Sequence, residues 1–142
     1  MSHVLLVEPD DDLCLFLRMA IGHAGCRISI TGSMTEARDV LSSNEKVDVV
    51  VTAVGLPDGS GLRLARDAIE AGKKVFVLRA HRGRIEVCDR RGLVFKGSRL
   101  TVGDFLKKAV SRRSDGGFAD GKAGSVGQRS STMLPASTGG SV

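Results

Sequence analysis

What most constrains this chain is a repeated alternation of short apolar runs with longer amphipathic segments. The runs fall at residues 4–7, 28–30, 47–51, 75–78 and 93–95. They are near-continuous rather than alternating with polar residues, as strands buried on both faces of a parallel sheet must be. The segments between them have helical spacing. Residues 10–24 place Leu13, Phe16, Leu17, Ala20 and Ala24 on one stripe, with Gly25 able to end the helix. Asp10, Asp11 and Asp12 stand at its positive end. Ser33-Met34-Thr35-Glu36 is a capping box opening a second helix through Val40 and Leu41. A third is predicted over 60–71, with Leu62, Ala65 and Ile69 inward and Gly72 as its stop. A short fourth is predicted about 83–90. A last one over 101–112 buries Val102, Phe105, Leu106 and Ala109. Five strands alternating with about five helices predict an α/β domain: a doubly wound five-stranded parallel sheet with right-handed crossovers.

The 142 residues suffice for one domain with a true core, which must be aliphatic because Trp and Tyr are absent and Phe numbers 5. No apolar run approaches the roughly 18 residues of a membrane helix. A strand-like run begins at His3 with no basic segment before it, which argues against a signal peptide. Cys14, Cys26 and Cys88 are odd in number and far apart. They suggest reduced thiols in cytoplasm rather than a disulfide framework or a zinc site. His3, His23 and His81 are scattered and read as ordinary polar residues. From Ser114 the chain is Gly/Ser-rich, with Met133-Leu134 a short apolar pair within it. The expected organisation is a domain over 1–113 and a flexible tail over 114–142.

In doubly wound sheets the functional crevice lies at the carboxyl ends of the strands. The first run is followed by Glu8-Pro9-Asp10. The third is followed by Thr52-Ala53-Val54 and the turn Gly55-Leu56-Pro57-Asp58-Gly59-Ser60-Gly61. The fourth is followed by Arg79-Ala80 and the fifth by Lys96-Gly97.

Over residues 3–113 this arrangement resembles the receiver domain of two-component response regulators, the CheY-like type. The resemblance rests on the turn Leu56 to Gly61, in register with Leu5-Leu6-Val7-Glu8 and with Lys96. It implies a flavodoxin-like sheet of order 2-1-3-4-5 and a stand-alone response regulator in a phosphorelay, with no enzymatic activity of its own. In the family an acidic pair holds Mg²⁺ with an acceptor aspartate, which takes phosphate from a phosphohistidine. A Thr or Ser and a Lys then bind the phosphoryl oxygens. A carboxylate nucleophile needs such cations to neutralise the phosphoryl charge. The carry-over is partial. Glu8 fills the first acidic position, but Pro9 fills the second, with Asp10 one place on. Ala53 fills the acceptor position. Arg79 replaces the hydroxyl residue, and Gly97 and Leu93 replace a common proline and a common aromatic. Glu8, Asp10, Arg79 and Lys96 are thus the expected neighbours of a phosphoryl site, with a weakened Mg²⁺ site at Glu8 and Asp10 and no cofactor required. Arg79 and Lys96 either project toward Glu8 and Asp10, or Arg79 points out into water. Ala53 is either a natural loss or an engineered Asp→Ala.

Charge is segregated. Residues 1–78 carry 8 Lys+Arg against 11 Asp+Glu, whereas residues 79–113 carry 11 against 3. Arg82, Arg84, Arg90 and Arg91 are expected around the fourth helix, and Arg99, Lys107, Lys108, Arg112 and Arg113 on or near the fifth. In receivers the face formed by the fourth helix, fifth strand and fifth helix is the usual dimer and output surface. The resemblance therefore implies a sensor histidine kinase or phosphotransfer protein as partner and a homodimer through helices four and five. The alternative is a phosphorylation-independent interaction module acting through this basic face. A solvated face is the plain reading of such charges. Nucleic-acid binding lacks interleaved aromatics and a recognisable motif. There is no phosphate-binding P-loop or nucleophile elbow.

Overall fold

The computed structural model describes residues 2–111; the tail and the Arg112-Arg113 pair lie outside them. In chain order the elements are β1 His3–Val7, α1 Asp11–Gly22, β2 Arg27–Thr31, α2 Met34–Ser42, β3 Val49–Ala53, β4 Gly55–Leu56, β5 Gly59–Ser60, α3 Gly61–Glu70, β6 Lys74–His81, β7 Arg84–Asp89, β8 Gly92–Gly97 and α4 Arg99–Ser111. The caps form as their side chains dictate. Asp10 caps α1 through the N–H groups of Asp12 and Leu13, Ser33 caps α2 through that of Glu36, and Ser60 caps α3 through that of Leu62.

The main sheet has six strands in the order β2-β1-β3-β6-β7-β8. The first four are parallel neighbours, so the α/β class and the 2-1-3-4 order stand as expected. The far side differs. The expected fourth helix at 83–90 is a strand: β7 pairs antiparallel with β6 and with β8. The sheet is therefore mixed, with four helices around it rather than five.

The reason is local. Arg82 and Gly83 both have positive φ, +50° and +78°, the signature of a two-residue turn whose twist suits a hairpin. Ile85 and Val87 then point to the core while Glu86 and Cys88 point away, a period of two. Asp89 braces the next turn, accepting the Arg91 N–H at 2.8 Å and its guanidinium at 3.1 Å. No chain is left for a crossover helix. An interface through helices four and five thus loses its first element, since the helix expected fifth is α4.

Apolar side chains fill both faces of the parallel strands. Val4, Leu6, Val51, Phe76 and Leu78 pack under Leu13, Leu17 and Ile21 of α1 and Val102, Leu106 and Val110 of α4. Leu5, Val7, Val50, Val75 and Val77 pack under Ala37 of α2 and Leu64, Ala65 and Ala68 of α3. The α3 stripe is rotated from expectation: Leu64 and Ala68 are inward, Ile69 is half-buried, and Leu62 is 52% exposed. His3 is a satisfied core residue, its ring nitrogens 2.7 Å from Ser29 Oγ and 3.2 Å from Lys46 O. The three cysteines are free thiols.

Candidate functional site

Glu8 and Ala53 sit at the carboxyl ends of adjacent strands, one residue past the Val7–Thr52 pair and at the last residue of β3. Glu8 is buried, 7% exposed. Its N–H donates to Thr31 O at 3.0 Å, and its carboxylate accepts the Asp10 N–H at 3.0 Å. Burial pushes its carboxyl above the ordinary range; the Asp10 hydrogen bond opposes the rise and the Asp10 charge adds to it. Asp10 is turned toward α1, where its Oδ1 accepts from Asp12 at 3.1 Å and Leu13 at 3.5 Å. Pro9 is exposed between them.

The Ala53 methyl is buried with Leu5, Val7, Val50 and Leu64. Its carbonyl accepts the Thr52 hydroxyl at 2.9 Å. The α-carbon of Gly61 lies so close to that carbonyl that a Cβ there would collide with it. The glycine is required because β4 and β5 form a minimal hairpin that folds straight back, with the Gly61 N–H donating to Val54 O at 2.7 Å. At the turn of that hairpin Asp58 reaches α2 and accepts from Met34 N, Thr35 N and Thr35 Oγ1.

These residues do not fit a divalent cation. Hard cations take several oxygen ligands. Here one carboxylate is spent on a helix cap, the other is buried against a backbone N–H, and Pro9 and Ala53 contribute no side-chain oxygen.

The two expected cations separate. Arg79 follows Leu78, the cross-strand partner of Ala53, and is exposed. Its neighbour in the sheet is Glu86 of β7, whose other neighbour is Lys96 of β8. Lys96 therefore lies three strands across from Ala53, about 14 Å at the usual strand spacing. That is beyond the reach of a four-carbon stem. The inserted strand β7 is the reason. Among the described residues, no ion pair joins Arg79 or Lys96 to Glu8 or Asp10. Glu86 escaped sequence reasoning, although its place between Ile85 and Val87 is the strand signal.

The basic stretch divides with the hairpin. Arg79, Arg82, Arg84, Lys96 and Arg99 lie toward the end of the sheet where β6 and β8 finish. Arg90, Arg91, Lys107 and Lys108 lie toward the other. No helix among the described residues is long and apolar enough to cross a membrane.

No protein-family model and no curated protein matches the sequence. Solved structures do. A response regulator receiver domain protein from Clostridium thermocellum is similar at a TM-score of 0.52 and 21% identity, over 58% of this chain and 68% of that one. The non-phosphorylated HemR receiver domain from Leptospira biflexa is similar at 0.51 and 28% identity, over 58% and 68%. A sensor protein from Polaromonas sp. JS666 is similar at 0.51 and 19%, over 56% and 66%. The fold is that of receiver domains.

Proposed function

We propose that this chain is a receiver-type signalling domain of two-component transduction which, with alanine at residue 53, acts by binding partners rather than by accepting phosphate. The observation that carries the reading is Ala53 itself. It ends β3 where the receiver fold would present a nucleophile, and it offers a buried methyl and a carbonyl closed over by Gly61. Phosphoryl transfer needs a carboxylate there and cations around the transferred group.

A second reading is a phosphorelay switch that receives phosphate from a sensor histidine kinase or phosphotransfer protein, if the natural residue 53 is aspartate. The position of Lys96 favours the first. Three strands away, its ammonium cannot neutralise a phosphoryl group at residue 53. The test is to incubate Ala53→Asp protein with acetyl phosphate and Mg²⁺ and measure its mass. No gain is expected. A gain of one phosphoryl group at the substituted position would support the switch.

A further inference from the structure

A sheet of this type is stable when both faces are covered. On one face α1 covers β1 and β2, and α4 reaches as far as β7 and β8. On the other, α2 and α3 pack over the strands from β1 to β6, and α3 only borders β7 across a groove. Because β7 and β8 arrive by tight turns, no crossover helix is laid over their second face.

That face has three rows of side chains in register. Val77, Cys88 and Leu93 form an apolar row; Arg79, Glu86 and Lys96 form the next; His81 and Arg84 form the last. Beside the apolar row, a groove of about 410 Å³ runs along α3, lined by Leu62, Ala65, Ile69, Val77 and Cys88 among others. Leu62 and Leu93 stand on this face 52% and 58% exposed. Leu62 lines the groove and Leu93 extends its apolar row beyond Cys88, so the two are not scattered single leucines. Beyond the groove the surface is cationic: Arg79, Arg82, Arg84 and Lys96 surround the single acid Glu86. Among the described residues no ion pair holds Arg79 or Lys96 to Glu86.

We propose that this face, which no described helix covers, docks a helix of a partner protein, with a leucine of that helix in the α3 groove and its acidic residues over the cationic rows. The proposal names the surface that the binding-module reading leaves open, and rests on that reading. The spacing suits a helix laid along the strands. Successive rows are two strand residues apart, about 6.6 Å. That is about four residues of α-helix. A leucine with glutamates about four and eight residues further on meets all three rows. Charge complementarity selects this occupant. A second copy facing the first would bring like cationic rows together. For a phosphate backbone the groove is the wrong chemistry, and the sheet's aromatic cluster, Phe76, Phe95 and Phe105, is on the opposite face.

The probe is a labelled alanine-based helical peptide with leucine and glutamates at that spacing, titrated against the full chain by fluorescence anisotropy. A peptide with lysine for glutamate and a 20-base-pair DNA duplex serve as comparisons. The glutamate peptide is expected to bind at least about tenfold more tightly than the lysine peptide. Binding should weaken about tenfold in an Arg79→Glu, Lys96→Glu variant and again in Leu62→Glu. All three side chains are exposed, and an unchanged circular dichroism spectrum shows the fold is kept; the milder Arg79→Gln, Lys96→Gln pair should weaken binding less. Equal binding of the two peptides, or indifference to Leu62→Glu, overturns the proposal. So does a duplex that displaces the peptide and binds Leu62→Glu unchanged, which would make this a polyanion surface. The phosphoryl-uptake test does not probe this face, so a failure here leaves the reading of residue 53 standing.

Discussion

The Asp58 carboxylate accepts the Thr35 hydroxyl at 2.6 Å and, in the same grip, the backbone N–H groups of Met34 and Thr35 at 2.7 and 2.9 Å. It thereby satisfies donors that the first turn of α2 leaves open, from a loop more than twenty residues away in sequence. The turn after β3 is held to β6 by the Val54 N–H, which donates to Leu78 O, and to α2 by Asp58.

Asp58→Asn is expected to lower the melting temperature at pH 7, because three charge-assisted bonds become neutral or are lost. The Thr35 hydroxyl, followed by the two backbone donors, holds the Asp58 carboxyl down at about 2 against an ordinary 3.8. A depressed folded-state value means stabilisation that is present above 3.8 and lost as pH falls through about 2. Thermal melts at pH 7, 4 and 2 should show a steeper acid loss for the wild-type protein than for the variant. Parallel losses would show that Asp58 contributes nothing to acid sensitivity.

Gly61→Ala should destabilise the domain by about 3 kcal/mol, the upper end of the usual overpacking range. The added methyl meets the Ala53 carbonyl, which is backbone of a central strand and cannot swing aside. Chemical denaturation with urea measures this directly. Gly55→Ala is the control: it lies in the same hairpin with nothing near its Cβ position and should cost far less.

Arg82 is the one described non-glycine residue with positive φ, +50°. A left-handed backbone costs most L-residues roughly 1–2 kcal/mol, and asparagine suffers less because its side chain bonds locally. Arg82→Asn should therefore stabilise the β6–β7 hairpin by about 1 kcal/mol in the same denaturation experiment. A loss of stability would mean that the arginine side chain holds the turn.

Much of this was legible in the sequence because each parallel strand announces itself by a near-continuous apolar run, the second helix by its capping box and the first by the acids at its positive end. Ser33, Asp10 and Ser60 cap where their side-chain oxygens indicate. The hairpin was readable too, in Arg82-Gly83 followed by Ile85 and Val87 alternating with Glu86 and Cys88. The strand–helix alternation of the first eighty residues masked it, since a six-residue segment satisfies either period. The displacement of Lys96 was not legible. Its position at the end of an apolar run is the same whether that run pairs with β6 or one place further out, and only strand order separates the two. Nor was the Asp58–α2 contact, which joins two elements distant in sequence.

Glu8→Gln tests what the buried acid does. Burial, set against the Asp10 N–H bond, raises the Glu8 carboxyl above its ordinary 4.5. The folded protein therefore holds a proton that the unfolded chain has released in the window just above 4.5, and stability falls as pH rises through that window. An ionised Glu8 is a cost to the folded state, offset by the single backbone bond from Asp10. An amide retains an oxygen for that bond and removes the charge. Glu8→Gln should thus be more stable than the wild-type protein at pH 7, and the two should converge as pH approaches 4.5. Urea midpoints taken at intervals from pH 4 to pH 8 follow the difference. A variant less stable than wild type at pH 7 would mean that the Glu8 charge is matched by a cation, and would reopen the reading of these residues as an ion site.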